Sequence, residues 1–187
     1  YDLLIFASRD IEDITIPNYI KKIGRNAFDQ CNKLNEIKIT TDSKLETIKN
    51  SAFCASTIEN ITIPSGFVKF ENGWCFGTKN LTKINIFPSN QNFIYLENQL
   101  IIGKTDLKSN EYDTLVFARR DIKIARIPTF IKVIGQYAFN SCIRLQRIEI
   151  PIDSKLESIE PFAFCDSPIQ TISIPNNVKN VGRNAFM

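Results

Sequence analysis

The chain has 187 residues, of which 43% are hydrophobic, and its formal net charge is +3. No apolar run approaches the roughly 18 residues typical of a membrane span, so we expect no membrane insertion within this chain. The charge is too small for the basic stripe of a nucleic-acid-binding protein. Histidine is absent, which removes the commonest general base and the commonest metal ligand. Composition therefore favours neither nucleic acid nor metal as a partner, and we expect no cofactor.

Both ends of the sequence predict a piece of a longer protein. The first residue is Tyr1 rather than methionine, and no charged-then-apolar leader precedes the repeated phrases described below. The last three residues, Ala185, Phe186 and Met187, stop inside one of those phrases. Signals for a cellular compartment are expected to lie outside these residues.

In chain order, the first repeated phrase is an apolar residue, two variable residues and Ile-x-Ile, often followed by proline. It reads Ile11, Ile14, Ile16; Leu34, Ile37, Ile39; Ile58, Ile61, Ile63; Leu81, Ile84, Ile86; Ile122, Ala125, Ile127; Leu145, Ile148, Ile150; and Ile169, Ile172, Ile174. Alternation of β-branched residues predicts short strands with isoleucine on the buried side. A proline after the phrase cannot donate a ladder hydrogen bond, so it ends the strand.

The second repeated phrase places two apolar residues three positions apart, followed by Ala-Phe. It reads Ile20, Ile23, Ala27, Phe28; Leu45, Ile48, Ala52, Phe53; Ile131, Ile134, Ala138, Phe139; Leu156, Ile159, Ala163, Phe164; and Val178, Val181, Ala185, Phe186. Spacings of three and four predict a helical turn or a short 3₁₀ segment. We expect the phenylalanines to stack as a core spine, because a unit of about two dozen residues buries its apolar face only against copies of itself.

A longer period joins the short phrases into a duplicated block. Tyr112 matches Tyr1 and Asp153 matches Asp42, a constant offset of 111 residues. Between the copies, Leu100–Ile102 and Leu115–Phe117 predict a β-hairpin around a polar loop, with an aromatic lead-in at Phe93. The expected organisation is one solenoid over 1–187, with a first block at 1–86, an inserted hairpin at 87–121 and a truncated second block at 122–187.

The five cysteines occupy fixed places in the second phrase. Cys31 and Cys142 stand three residues after its phenylalanine, Cys54 and Cys165 directly after it, and Cys75 directly before Phe76. We expect small buried apolar side chains at these places. Disulfide bonds or a redox role are the alternatives.

These phrases resemble the BspA-like (Treponema pallidum-type) leucine-rich repeats. Ile127–Pro151, which reads IPTFIKVIGQYAFNSCIRLQRIEIP, fills nearly every place of that repeat pattern. The resemblance implies a right-handed leucine-rich-repeat solenoid of the α/β type, rich in β structure. Its expected features are a parallel sheet on one face, short helical or 3₁₀ turns on the other, and an interspersed hairpin. It also implies a surface or secreted protein linked to adhesion and to binding of host proteins, and it brings no catalytic residues.

Residues between the core isoleucines should face outward, because side chains alternate across a strand. The candidate protein-binding face consists of Thr15, Lys38, Thr62, Asn85, Arg126, Glu149, Ser173, Glu36, Lys83 and Arg147. Solenoids commonly bind proteins along such columns. An ordinary solvated face is the alternative. Asn60-Ile61-Thr62 and Asn80-Leu81-Thr82 match the glycosylation pattern, and chance matches are frequent in a chain rich in asparagine.

The sequence as a whole predicts a non-enzymatic interaction module, the ectodomain fragment of a BspA-like surface antigen. Its expected partners are other proteins, with host and extracellular-matrix proteins as candidates, and its expected location is the cell surface or the secreted fraction. An intracellular, cytoplasmic leucine-rich-repeat scaffold or adaptor is the alternative. Without histidine, no Ser, Cys or Lys has the usual activating base, and no phosphate-binding loop or carboxylate pair is present.

Overall fold

A computed structural model describes residues 2–187, which form two compact units, the first ending at Gln91 (unit 1) and the second covering Asn92–Met187 (unit 2). Both units are built from very short strands in a solenoid of the right-handed type. Within each turn the chain contributes one strand to each of two sheets. The repeated phrases therefore generate two sheets in each unit, in which strands from successive turns pair in parallel.

Unit 1 has two parallel sheets of four strands each. The first contains β1 (Leu3–Leu4), β3 (Lys22–Ile23), β5 (Thr47–Ile48) and β7 (Lys69–Phe70). The second holds the Ile-x-Ile phrases as β2 (Asp13–Thr15), β4 (Glu36–Lys38), β6 (Asn60–Ile63) and β8 (Lys83–Ile86). Strand pairing skips one element each time, as stacked turns require.

Unit 2 repeats the arrangement and adds antiparallel strands. Its Ile-x-Ile sheet has three parallel strands, β12 (Ile124–Arg126), β14 (Arg147–Glu149) and β16 (Thr171–Ile172). The other sheet contains β9 (Ile94–Leu96), β10 (Leu100–Gly103), β11 (Thr114–Ala118), β13 (Val133–Ile134), β15 (Ser158–Ile159) and β17 (Asn180–Val181). The predicted hairpin is β10–β11, and β11 also pairs in parallel with β13.

The aromatic lead-in packs onto this hairpin. Phe93 is buried, and its ring leaves no room for a Cβ at Gly103, where one would lie 2.9 Å from a ring carbon. Tyr112 packs against the core of unit 2. The Tyr95 hydroxyl donates to the Asn98 carbonyl at 2.8 Å. Phe93 and Tyr95 thus support the hairpin and its lead-in, and Tyr112 joins the hairpin to the core of unit 2.

The phenylalanine spine is present in both units. Phe28 and Phe53 stack with ring centroids 5.1 Å apart, and Phe139 and Phe164 stack at 4.9 Å. All four side chains are fully buried. Stacking at these distances adds about 0.5–1.5 kcal/mol per pair beyond simple burial. The prediction of a stacked aromatic core is confirmed.

The predicted helical or 3₁₀ face is wrong, because residues 2–187 contain no helix. Five of the turns that the structure describes contain two residues with positive φ, as at Asn26 (57°) and Gln30 (55°), and left-handed residues interrupt a right-handed helix. The amides that a helix would use internally donate to the neighbouring turn instead, Phe28 to Ala52 at 2.7 Å and Gln30 to Cys54 at 2.8 Å. Apolar spacings of three and four here belong to a short strand followed by β-turns.

In the third turn of unit 1, a large side chain replaces the alanine of the Ala-Phe pair and a small side chain replaces the phenylalanine. The Trp74 carbonyl accepts the Phe53 amide, which is the role that the Ala52 carbonyl has for Phe28. Trp74 therefore occupies the alanine place of the Ala-Phe pair, and Cys75 occupies the phenylalanine place. The Trp74 ring meets Phe53 edge-on, with centroids 6.1 Å apart.

Most of the cysteines behave as small core residues. Cys31, Cys75, Cys142 and Cys165 are buried, as predicted, and Cys54 is half-buried. Within residues 2–187 no two of them form a disulfide.

A buried arginine, which the sequence did not single out, supports the first turn of unit 2. Arg120 is fully buried, with its guanidinium 4.3 Å from the centroid of the Phe117 ring. It donates to the carbonyls of Ala138 at 3.2 Å and Ala118 at 3.4 Å. Burying a charge is tolerated only with such compensation, so this group fixes the local backbone.

Candidate interaction surface

Outward side chains of unit 1 form two columns because its Ile-x-Ile strands pair in register. Asp13, Glu36, Asn60 and Lys83 are successive partners in the first column. In the second column, Thr15 lies beside Lys38, and Thr62 lies beside Asn85. Lys38 and Glu36 form an exposed ion pair at 3.8 Å. We call these side chains the unit 1 columns.

Unit 2 has the corresponding columns on β12, β14 and β16. Ile124, Arg147 and Thr171 are partners in one column, and Arg126 and Glu149 are partners in the other. The Glu149 carboxylate lies between two guanidinium groups, 2.9 Å from Arg126 Nε and 3.3 Å from Arg147 Nε. Exposed pairs of this kind add little stability. They order the side chains of what we call the unit 2 columns.

The ten residues of the candidate face all reach solvent. Thr62, Glu36 and Glu149 are half-buried, and the other seven are exposed. Ser173 lies one residue beyond the end of β16. The outward orientation inferred from strand alternation is therefore what the structure has, while contact of these residues with a partner stays a prediction.

The two units differ at the outward positions and agree at the inward ones. With the 111-residue offset, the six outward positions pair as Asp13 with Ile124, Thr15 with Arg126, Glu36 with Arg147, Lys38 with Glu149, Asn60 with Thr171, and Thr62 with Ser173. Every pair differs, and the Glu36 and Lys38 pairs reverse their charge. Of the inward isoleucines at 14, 16, 37, 39, 61 and 63, only Ile14 is replaced in the second copy, by Ala125. The fold constrains the core and leaves the columns free to diverge.

The two predicted glycosylation sites differ in accessibility. Asn60 is half-buried, and its side-chain Oδ1 atom is enclosed. Asn80 is exposed. Modification of either residue stays a prediction, and the structure favours Asn80 as the more accessible amide.

A groove that the sequence reasoning did not identify lies in unit 2, beside the columns. Its volume is about 840 Å³, and Ile150, Pro151, Ile152, Ile174, Pro175 and Lys155 are among its lining residues. Ile152 is fully exposed at the tip of its loop. The signal in the sequence was spacing, because six positions separate Ile150 from Leu156 where four separate Ile127 from Ile131. The extra residues form the protruding loop.

Ion pairs line the neighbouring strands of unit 2. Glu157 accepts a hydrogen bond from Lys179 at 2.7 Å, and this contact holds the pKa of its carboxyl below the usual value. Lys132 donates to Glu111 at 2.9 Å, an interaction that lowers the Glu111 pKa and raises that of Lys132. These shifts keep Glu157, Glu111 and Lys132 charged near neutral pH.

Across residues 2–187 no group of three or more Cys, Asp and Glu side chains is arranged to hold a metal ion. The same residues include no helical segment with the length and apolarity needed to cross a lipid bilayer.

Known structures share this fold. A leucine-rich cell surface protein from Faecalibacterium prausnitzii is 19% identical with a TM-score of 0.70, and the match covers 92% of this chain and 41% of that one. For the pneumococcal vaccine antigen PcpA the identity is 23% and the TM-score 0.73, with coverage of 92% and 47%. A leucine-rich repeat protein from Eubacterium ventriosum is 19% identical with a TM-score of 0.61, with coverage of 93% and 57%.

The chain thus spans roughly half the length of these structures. At such identities, the likeness shows the fold alone. Comparison with curated protein sequences gives no significant match. The family model described as BspA type leucine rich repeat region matches residues 4–113 and 110–187, with six copies. The chain belongs to the family of BspA type leucine-rich repeat regions.

Proposed function

We propose that the chain is a non-catalytic protein-binding and adhesion module, part of a BspA-like surface antigen, and that its columns carry the binding surface. Support comes from the contrast between the two units, in which the outward residues differ while the inward residues are nearly all retained. In-register strands hold those outward side chains in fixed rows, so a partner meets a preformed surface and loses little side-chain entropy on binding. The proposed partners are proteins, with host and extracellular-matrix proteins as the leading candidates.

The unit 2 columns are the better candidate for a strong contact. Arg126 and Arg147 are held by one carboxylate beside Ile124, which is 44% exposed. Arginine beside apolar area is typical of interface residues that dominate the binding energy. The unit 1 columns are more polar and serve as a second, different surface.

Location at the cell surface or in the secreted fraction is part of the same proposal. It draws on the Faecalibacterium structure, which is described as a cell surface protein. An intracellular scaffold is the second candidate, and it is favoured by the five cysteines, which form no disulfide within residues 2–187. Imaging the full-length protein on intact and permeabilised cells, with sugar analysis at Asn80, separates the two locations.

A pull-down with the full-length protein from its natural surroundings tests the binding role. The variant Arg126→Glu/Arg147→Glu removes both arginines of the unit 2 columns, and Arg183→Glu is the matched control at an exposed arginine outside them. We expect the double variant to weaken binding of the captured protein by about 30-fold, equivalent to about 2 kcal/mol, and the control to leave it unchanged. The Lys38→Glu/Lys83→Glu variant tests the unit 1 columns in the same way. If this variant and Arg126→Glu/Arg147→Glu both captured the partner as well as the Arg183→Glu control does, the columns would be rejected as the binding surface.

A further inference from the structure

Asn72 and Gly73 form the one Asn-Gly pair in the sequence. An asparagine side chain is attacked by the backbone amide nitrogen of the residue that follows it, and glycine hinders this attack least because it has no Cβ. Two Asn-Ser pairs, Asn50-Ser51 and Asn140-Ser141, are the next most reactive in the chain. These three pairs lie in comparable turns, so the structure can be compared at each of them.

The Asn72-Gly73 pair lies at the centre of the turn after β7, with the Asn72 side chain exposed and the Gly73 backbone buried. The Trp74 amide donates to the Glu71 carbonyl at 3.2 Å, which makes Asn72 and Gly73 the two central residues of a β-turn. Asn72 is exposed, and Gly73 has φ +66°, a conformation that suits glycine. Among the described residues the Gly73 amide donates to no acceptor. Within residues 2–187 no hydrogen bond therefore holds the attacking nitrogen or the attacked side chain.

Both Asn-Ser pairs are restrained by the neighbouring turn. The Ser51 amide donates to the Gly73 carbonyl at 3.2 Å, and Asn50 is half-buried. Asn140 is fully buried, and its Nδ2 donates to the Cys165 carbonyl at 3.1 Å. The Ser141 amide donates to the same carbonyl at 3.0 Å. At both places the attack requires a hydrogen bond between turns to break first.

We propose that Asn72 is a site of spontaneous deamidation, with water as the co-reactant. The Gly73 nitrogen forms a bond to Asn72 Cγ and gives up its proton to the solvent, and the side-chain nitrogen leaves as ammonia, closing a succinimide ring. Water then adds to either carbonyl of the ring and the corresponding C–N bond opens. The products are aspartate or isoaspartate at position 72, and nothing is oxidised or reduced.

The two products have different consequences for unit 1. Aspartate adds a charge beside Glu71, whose carboxylate accepts the Asn50 amide at 3.1 Å and lies 3.6 Å from Lys49 Nζ. Isoaspartate also lengthens the backbone by one methylene group just before Gly73. The Gly73 carbonyl accepts the amides of Ser51 and Phe76, so this lengthening displaces contacts between successive turns. Isoaspartate therefore loosens unit 1 more than aspartate does.

Peptide mapping by mass spectrometry tests the proposal. The folded 187-residue chain and the same chain unfolded in guanidinium are incubated at mildly alkaline pH, and the conversion of each asparagine is followed with time. We expect folding to slow acid formation at Asn50 and Asn140 by at least about tenfold, which corresponds to ~1.4 kcal/mol, the scale of one net hydrogen bond. At Asn72 the folded and unfolded rates should agree within about threefold. Slowing at Asn72 as strong as that at Asn140 would overturn the proposal.

Two variants separate charge from backbone lengthening. Asn72→Gln lacks the favourable ring size and should show no time-dependent acid at position 72. Asn72→Asp carries the charge alone and should unfold at the same urea concentration as the fresh protein. The isoaspartate fraction of aged protein should unfold at a lower urea concentration than either variant. An unchanged midpoint for that fraction would contradict the predicted loosening of unit 1.

Discussion

Truncating the phenylalanine spine tests the stacked-turn fold most directly. Phe139 is fully buried and stacks on Phe164, so Phe139→Ala leaves a ring-sized cavity that the neighbouring turns can only partly fill. Such substitutions cost about 3–5 kcal/mol. For a chain of this length, 1 kcal/mol lowers Tm by roughly 2–4 °C, so a fall of about 6–20 °C is expected. Circular dichroism during heating, with urea unfolding in parallel, measures both quantities.

The matched control is Phe130→Ala in the same unit. Phe130 is 40% exposed, so its truncation should cost no more than about 1 kcal/mol. Coupling between Phe139→Ala and Phe164→Ala should be about 0.5–1.5 kcal/mol in a double-mutant cycle. If Phe139→Ala cost as little as Phe130→Ala, the spine would not stabilise the solenoid, and the reasoning from repeat to stack would be refuted.

Three further predictions follow from other parts of the fold. Trp74→Ala should destabilise unit 1 by about 3–5 kcal/mol, and Cys75→Phe by about 1–3 kcal/mol. The double variant should cost less than the sum of these two values, because it restores the Ala-Phe order. Additive costs, measured by urea unfolding, would contradict the exchange of a large and a small side chain at these two positions. Gly135→Ala places a Cβ 2.9 Å from a backbone carbonyl oxygen and should cost about 1–3 kcal/mol, whereas Gly66→Ala meets nothing within 4 Å and should be neutral or slightly stabilising. Burial raises the pKa of the Cys54 thiol to about 11, so the rate of its alkylation should still be low at pH 9 and should keep rising as the pH approaches that pKa. A rate that levels off near pH 9 would contradict the raised pKa.

The sequence predicted the Ile-x-Ile sheet of each unit, because Ile-x-Ile alternation is a strong strand signal. It failed for strands such as Lys22–Ile23, which have only two residues and show no alternation. Their apolar partners lie three and four positions away, which imitates a helix. The left-handed residues that exclude a helix include Tyr137 and Phe162, side chains that rarely adopt positive φ. Stacking of these two rings at 5.1 Å offsets part of that strain, and no sequence rule would have anticipated it.

Exposure of the candidate face was also predictable, while the identity of its partner was not, and the same physical fact explains both. An inward isoleucine is specified by the turns above and below it, because a different volume there leaves a cavity or a clash. An outward residue has no such neighbour, so Lys38 can become Glu149 in the second copy at little cost to folding. The reversed charge changes the partner that each unit suits. A protein that binds the unit 2 columns should therefore fail to bind the unit 1 columns. Its binding should be weakened in the Arg126→Glu/Arg147→Glu variant and unchanged in the Lys38→Glu/Lys83→Glu variant, and binding measurements on each variant check this.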